Sequence, residues 1–305
     1  MVSDALRQKL KYVKVSGRAV RLEYFPDFLI VGPQRTGTTW LHAHLRYHPQ
    51  IMLSEPKELF FFSNLKNPDS PRFRSNQLES YLKCFREPLR RVLLRQAISL
   101  RRYHELYRPQ VRGEATASYA ALERDVIHDI ATLRPEIKII LMIRNPVDRA
   151  WSHAKKDLVR NRRRKFEDVS PSEFEQFFAD PYQRQCARFA ENIDNWSSCL
   201  QPSHLLVGVF DDIGERPEAL LLAVMSFLGV TSDPRYISDE VRKPVNPTAS
   251  TRIPERYRRF LEDLLKDDLM TLEQRLGLSW SSSPGGRLER RPSHKSDSFV
   301  LAPQV

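Results

Sequence analysis

Residues 28–41 read FLIVGPQRTGTTWL: an apolar strand, a loop spaced Gly32-x-x-x-x-Gly37-Thr38-Thr39, and the start of a helix. A loop of this kind can wrap a phosphate. Its glycines permit the tight turn, and the free N–H groups at a helix start favour an anion. A nucleoside triphosphatase loop would read GxxxxGK[ST], its Lys reaching the terminal phosphates and its hydroxyl holding Mg²⁺. Here Thr38 stands at the Lys position, and the loop's cation is Arg35, three residues earlier. The positive charge has moved, so the expected ligand is an anionic nucleotide other than ATP or GTP. Thr36, Gly37, Thr38 and Thr39 are the expected N–H and hydroxyl donors to one phosphate, and Trp40 reads as a core residue. A second strand–turn–helix follows, in which KIILMI (138–143) ends at Arg144 and Asn145-Pro146 opens a helix carrying Ser152. Asn145 is a natural N-cap and Pro146 a natural first helical residue.

The loop PQRTGTTWL resembles the 5′-phosphosulfate-binding loop of sulfotransferases that use 3′-phosphoadenosine 5′-phosphosulfate (PAPS). The run IRNPVDRAWSH is similar to that family's 3′-phosphate motif, which implies that Arg144 and Ser152 hold the 3′-phosphate while Arg35 serves the 5′ end. The family usually has Lys at the Arg35 position; Arg keeps the charge but makes a fork instead of a point contact. KELFFF (57–62) resembles the catalytic-Glu segment of heparan sulfate-type sulfotransferases, which implies Glu58 as general base, with Glu55 the rival carboxylate and Lys57 a sulfuryl contact. Phe60 and Ser63 replace the family's His and Asp near this Glu. RGEATASYA (112–120) is similar to the segment lining the acceptor cleft. STRIPERYRRFLEDLL (250–264) resembles the basic loop covering the 3′-phosphate, matching Arg252 to its arginine but placing Ser250-Thr251 where the family has Lys-Gly.

The resemblance spans about residues 26–280. It implies an α/β, P-loop-like three-layer fold with a central parallel sheet and helices on both faces. It also implies sulfuryl transfer from PAPS, without a metal, to a hydroxyl or amine of a carbohydrate or glycoconjugate acceptor. Two rivals make different demands. A P-loop kinase requires Mg-ATP, and a non-catalytic polyanion-binding module requires only a basic surface.

Short apolar runs at 27–31, 111–114, 138–143 and 204–209 read as strands. Helical patterns cover 39–48, 75–85, 121–133, 147–160, 182–199, 216–228 and 254–276. This alternation argues for a parallel sheet, with the ligand beyond the carboxyl ends of its strands. Residues 1–25 read as an N-terminal extension, 26–280 as the domain, and the Ser/Pro/Gly-rich 281–305 as a disordered tail.

The 305 residues carry a net charge of +11 and 41% hydrophobic residues, which suits a sizeable core and an anionic partner. On charge alone that partner is a nucleotide, a sulfated or phosphorylated glycan, a nucleic acid or an acidic lipid; the motifs select the nucleotide, and no nucleic acid is expected. Residues 155–165, KKDLVRNRRRK, hold seven Lys/Arg against one Asp, either a solvated basic helix end or an electrostatic funnel. Cys84, Cys186 and Cys199 match no metal-ligand spacing, and their scarcity points to a reducing compartment. The charged N-terminus lacks a signal-peptide core and no run of eighteen apolar residues occurs, so a cytoplasmic protein without a membrane span is expected.

Overall fold

The four apolar runs become strands, and a fifth, unforeseen strand joins them in an all-parallel sheet. A computed structural model describes residues 2–16, 20–243, 245, 252–280 and 288–290. The strands are β1 (Phe28–Val31), β2 (Ile51–Leu53), β3 (Val111–Ala115), β4 (Lys138–Ile143) and β5 (Leu205–Val209), in the order β2-β3-β1-β4-β5. Central β1 pairs Phe28 with Gly113 on one side and with Lys138 on the other. β2 escaped the sequence reading because three residues are too short to display a period. The helices are α1 (Asp4–Lys9), α2 (Thr38–Leu45), α3 (Leu78–Leu82), α4 (Leu89–Tyr103), α5 (Arg124–Leu133) and α6 (Pro146–Ala154), followed by α7 (Pro171–Ala179), α8 (Pro181–Ala187), α9 (Phe189–Ser197), α10 (Asp212–Glu215), α11 (Pro217–Leu228) and α12 (Glu255–Leu276).

The sheet is covered on both faces, as expected. Alternate strand residues point to opposite sides. Leu29, Val31, Ile139 and Leu141 pack with Ile127 of α5, Ile193 of α9 and Leu272 of α12. Phe28, Ile30, Ile140 and Met142 pack with Leu41 of α2 and Leu220 of α11. A third cluster joins Trp151 of α6, Phe174 of α7 and Tyr257 of α12. Such both-sided burial is why β1, β4 and β5 read as nearly unbroken apolar runs instead of alternating ones, with β3 (VRGEA) the exception.

Other departures are local. The pattern at 182–199 breaks into α8 and α9 at Arg188. The 147–160 helix is α6 followed by a π-helical turn, Lys155–Arg160. α1, α4, α7 and α10 fall outside the expected helical patterns. The N-terminal segment is tied down by Asp129, whose carboxylate accepts from the backbone N–H groups of Lys11, Tyr12 and Val13 at 2.7–2.9 Å. Within the expected disordered tail, Leu288–Arg290 (β7) pairs antiparallel with Leu278–Trp280 (β6); residues 281–287 and 291–305 lie outside the described residues.

Candidate active site

The loop after β1 is shaped by close approach. Gly32, at φ 152°, lies so near β4 that an added Cβ would sit 2.8 Å from the Met142 carbonyl oxygen. Gly37, at φ 96°, caps α2, and a Cβ there would meet Ile213 at 2.3 Å. Between them Arg35 adopts φ 79°, a left-handed conformation that costs a non-glycine residue about 1–2 kcal/mol. Thr38 is buried in the first turn of α2, and Thr39 is half-buried. Thr36 departs from expectation: it is fully buried, and its hydroxyl already donates to the Pro33 carbonyl at 2.8 Å. Its side chain braces the loop from inside, so only its backbone can serve a ligand. Trp40 is buried and donates to the Val241 carbonyl at 3.0 Å, a core role.

The structure joins the two motifs directly. Arg35 Nε donates to Ser152 Oγ at 2.9 Å, and Arg144 Nη1 donates to the Arg35 carbonyl at 3.2 Å. Asn145 caps α6 by accepting from the N–H groups of Val147 and Asp148, which aims the first turn of that helix beside Arg144. The Arg144 guanidinium lies 4.1 Å from the Phe210 ring centroid, a cation–π contact that fixes its plane.

Like charges crowd here. Burial, then the neighbouring Arg160, holds the Arg35 guanidinium below its ordinary pKa. Burial also lowers Arg144, with Arg35 and Arg149 adding to the effect and Asp148 and Asp211 opposing it. Lys155 is lowered by burial, then by Arg144 and Arg35. A group of cations that depress one another is an environment suited to a multiply charged anion. The basic segment thus divides. Lys155 and Arg160 act on the loop, whereas Arg164 pairs with Glu173 at 2.6 Å. The sequence carried the charge run but not the turn that splits it.

Glu58 lies at the same carboxyl end of the sheet. Its N–H donates to the Ala115 carbonyl at 3.0 Å, and Ala115 is the register partner of Ile30 in β1. It adopts φ 67°, is half-buried, and its Oε1 receives Lys57 Nζ at 2.7 Å. Glu55 is engaged elsewhere, with Arg46 at 3.5 Å and Arg91 at 3.3 Å. Phe61 and Phe62 are buried in an aromatic cluster with Tyr81, while Phe60 is half-buried at φ 56°. Arg252 is exposed ahead of α12; the adjacent Ile253 packs in the cluster of α6 residues, and Ser250-Thr251 lie outside the described residues.

Sequence reasoning passed over Glu114, which underlies the Glu58 segment. It is fully buried and accepts from the Tyr81 hydroxyl at 2.8 Å. Its neighbours Thr116 and Tyr119 accept from the N–H groups of Leu59 and Phe62 at 3.0 and 3.2 Å. Burial, aided by nearby Glu58, pushes the Glu114 carboxyl up to about 8 despite its hydrogen bonds. The folded pKa is above the unfolded one, so the folded state retains a proton that the unfolded chain releases. Its contribution is complete below the ordinary carboxylate range and is lost as pH rises towards 8. Glu114→Gln, a neutral isostere, is therefore expected to flatten the decline of urea midpoint between pH 5 and 8; an unchanged slope would contradict the assignment.

Comparison with known proteins defines the class. The model of the sulfotransferase family matches residues 26–234, and the chain belongs to this family. It is 29% identical over 140 residues to the membrane-associated sulfotransferase kil1 of Dictyostelium discoideum, covering 46% of this chain and 24% of that one. It is 27% identical over 215 residues to the bifunctional heparan sulfate N-deacetylase/N-sulfotransferase 2 of Homo sapiens, covering 68% and 22% respectively. The chain thus spans about a quarter of the length of these curated relatives. A crystal structure of a sulfotransferase from Alicyclobacillus acidocaldarius superposes with a TM-score of 0.56 at 24% identity, covering 82% of this chain and 94% of that one. The P-loop-like fold expected from the sequence is the fold observed.

Proposed function

We propose that the protein transfers a sulfuryl group from PAPS to a hydroxyl or amine of a carbohydrate-containing acceptor, releasing adenosine 3′,5′-bisphosphate. The observation that carries this reading is the Arg35–Ser152 hydrogen bond, with Arg144 anchored to the same loop. It couples a 5′-phosphate loop to a 3′-phosphate motif, as a nucleotide phosphorylated at both ends requires. Arg144 and Ser152 bind the 3′-phosphate, joined by Arg252 from the loop before α12. The N–H groups of residues 36–39 and the hydroxyls of Thr38 and Thr39 hold the 5′ end, and Lys57 steadies the sulfuryl oxygens. Glu58 accepts the proton of the acceptor as its oxygen or nitrogen bonds to sulfur. The bridging S–O bond breaks, and its electron pair stays on the 5′-phosphate, where Arg35 offsets the growing charge. The carbohydrate acceptor rests on likeness to a relative named for heparan sulfate.

Calorimetric titration with adenosine 3′,5′-bisphosphate, run beside Mg-ATP, tests the reading. Tighter, metal-independent binding of the bisphosphate is expected; preference for Mg-ATP would favour a P-loop kinase. Arg144→Ala is expected to weaken bisphosphate binding by about 10- to 100-fold, the value of a charge-assisted contact, while barely changing that of adenosine 5′-phosphate. Equal loss for both ligands would remove Arg144 from the 3′-phosphate.

A further inference from the structure

α4 is built inside out. The residues it buries are Arg95 and Ser99, while Leu89, Leu93, Leu94 and Leu100 are 73%, 59%, 60% and 45% exposed. Of the seven large hydrophobic residues exposed among the described residues, these four and Leu106 form one local group. Leu89, Leu93 and Leu100, with exposed Ala97 between, recur at helical spacing along a single outward stripe. None of these leucines joins the three apolar clusters. The inward side combines polar contacts with one aromatic anchor: Arg91 Nη2 donates to the Leu53 carbonyl at 2.6 Å, Gln96 accepts from the Tyr107 N–H at 3.2 Å, and Tyr103 packs edge-on against Tyr236.

Charge selects the occupant. α4 contains five arginines and no acidic residue, and exposed Arg90 and Arg101 flank the leucine stripe. A second copy of the same face would set like charges against one another across apolar contact. A bilayer with acidic headgroups satisfies both features, since leucines enter the acyl boundary while guanidinium groups remain among the phosphates. Among the described residues no helix is long and apolar enough to cross a membrane. We infer that α4 docks the protein on an anionic membrane surface, lying flat along about 22 Å of helix.

A protein with net charge +11 adheres weakly to any anionic surface, so the test must separate leucines from charge. Co-sedimentation of the full chain with phosphatidylcholine vesicles containing about 30% phosphatidylserine is compared with pure phosphatidylcholine. Binding to the anionic vesicles only is expected. The variant Leu89→Gln/Leu93→Gln/Leu94→Gln keeps the net charge and removes only exposed side chains. It is expected to lower partitioning by about tenfold or more. Unaltered partitioning in this variant, or no vesicle binding by the parent protein, would overturn the inference. So would a concentration-dependent dimer in sedimentation velocity that the same substitutions dissolve, since the stripe would then belong to a second copy. None of these outcomes depends on whether the bisphosphate binds.

Discussion

Glu58→Gln is expected to lower the turnover of sulfuryl transfer by about 10²–10⁴-fold, the range for loss of a positioned general base. Binding of adenosine 3′,5′-bisphosphate should be unaffected, because Glu58 is hung on the end of β3 through Ala115, whereas Arg144 follows β4 on the other side of β1. The substitution is nearly isosteric, and the amide oxygen can keep the Lys57 contact now 2.7 Å long, so the loss reports basicity and not a rearranged loop. Glu55→Gln is the matching control. Its carboxylate faces Arg46 and Arg91, and turnover should stay within a few-fold of the parent. If the two variants exchange behaviour in single-turnover assays, the base is Glu55.

Arg35→Gly should separate stability from catalysis. On the role proposed for Arg35 at the leaving oxygen, removing this positive group is expected to reduce turnover by about 10²–10³-fold. The same change relieves a left-handed backbone at φ 79° and removes one cation from a like-charged group. Against this stand the lost hydrogen bond to Ser152 and the greater freedom of glycine in the unfolded chain. The thermal midpoint should therefore hold or rise while activity collapses, the pattern of a site that stores strain for function. A fall of many degrees would instead mark Arg35 as structural. Arg35→Lys, which keeps the charge without the Nε donor, should recover part of the lost turnover.

Much of this was legible because local chemistry and global fold agree. Asn145-Pro146 caps a helix wherever it is placed, and Gly32 and Gly37 announce a loop through their spacing. β1, β4 and β5 were visible because burial on both faces leaves them almost uniformly apolar, whereas β3, with Arg112 and Glu114, carries a fainter pattern. β2 was too brief to carry a pattern. α4 carries Leu89, Leu93, Ala97 and Leu100 at helical spacing, so its helix is legible in the sequence; what the spacing does not show is that this stripe faces solvent. The bond between Arg35 and Ser152 joins distant parts of the chain, so no window of sequence contains it. Glu114 is hidden differently: its segment resembles an acceptor-cleft motif, yet nothing in RGEATASYA tells a buried, proton-retaining carboxyl from a surface one.

The pairing of β1 also bears on how the chain is made. Phe28–Val31 is an apolar strand whose only neighbours in the sheet, β3 and β4, begin at Val111 and Lys138. During synthesis at ~5–20 residues per second it must wait several seconds for its first partner. Throughout that interval an unpaired four-residue edge with no charge of its own is open to pairing with another chain. The strand that leads into the glycine-bounded loop is therefore an exposed hazard of the nascent protein. Cotranslational shielding by a chaperone should govern yield more than final stability does. Long-range parallel pairing is also expected to slow refolding from denaturant.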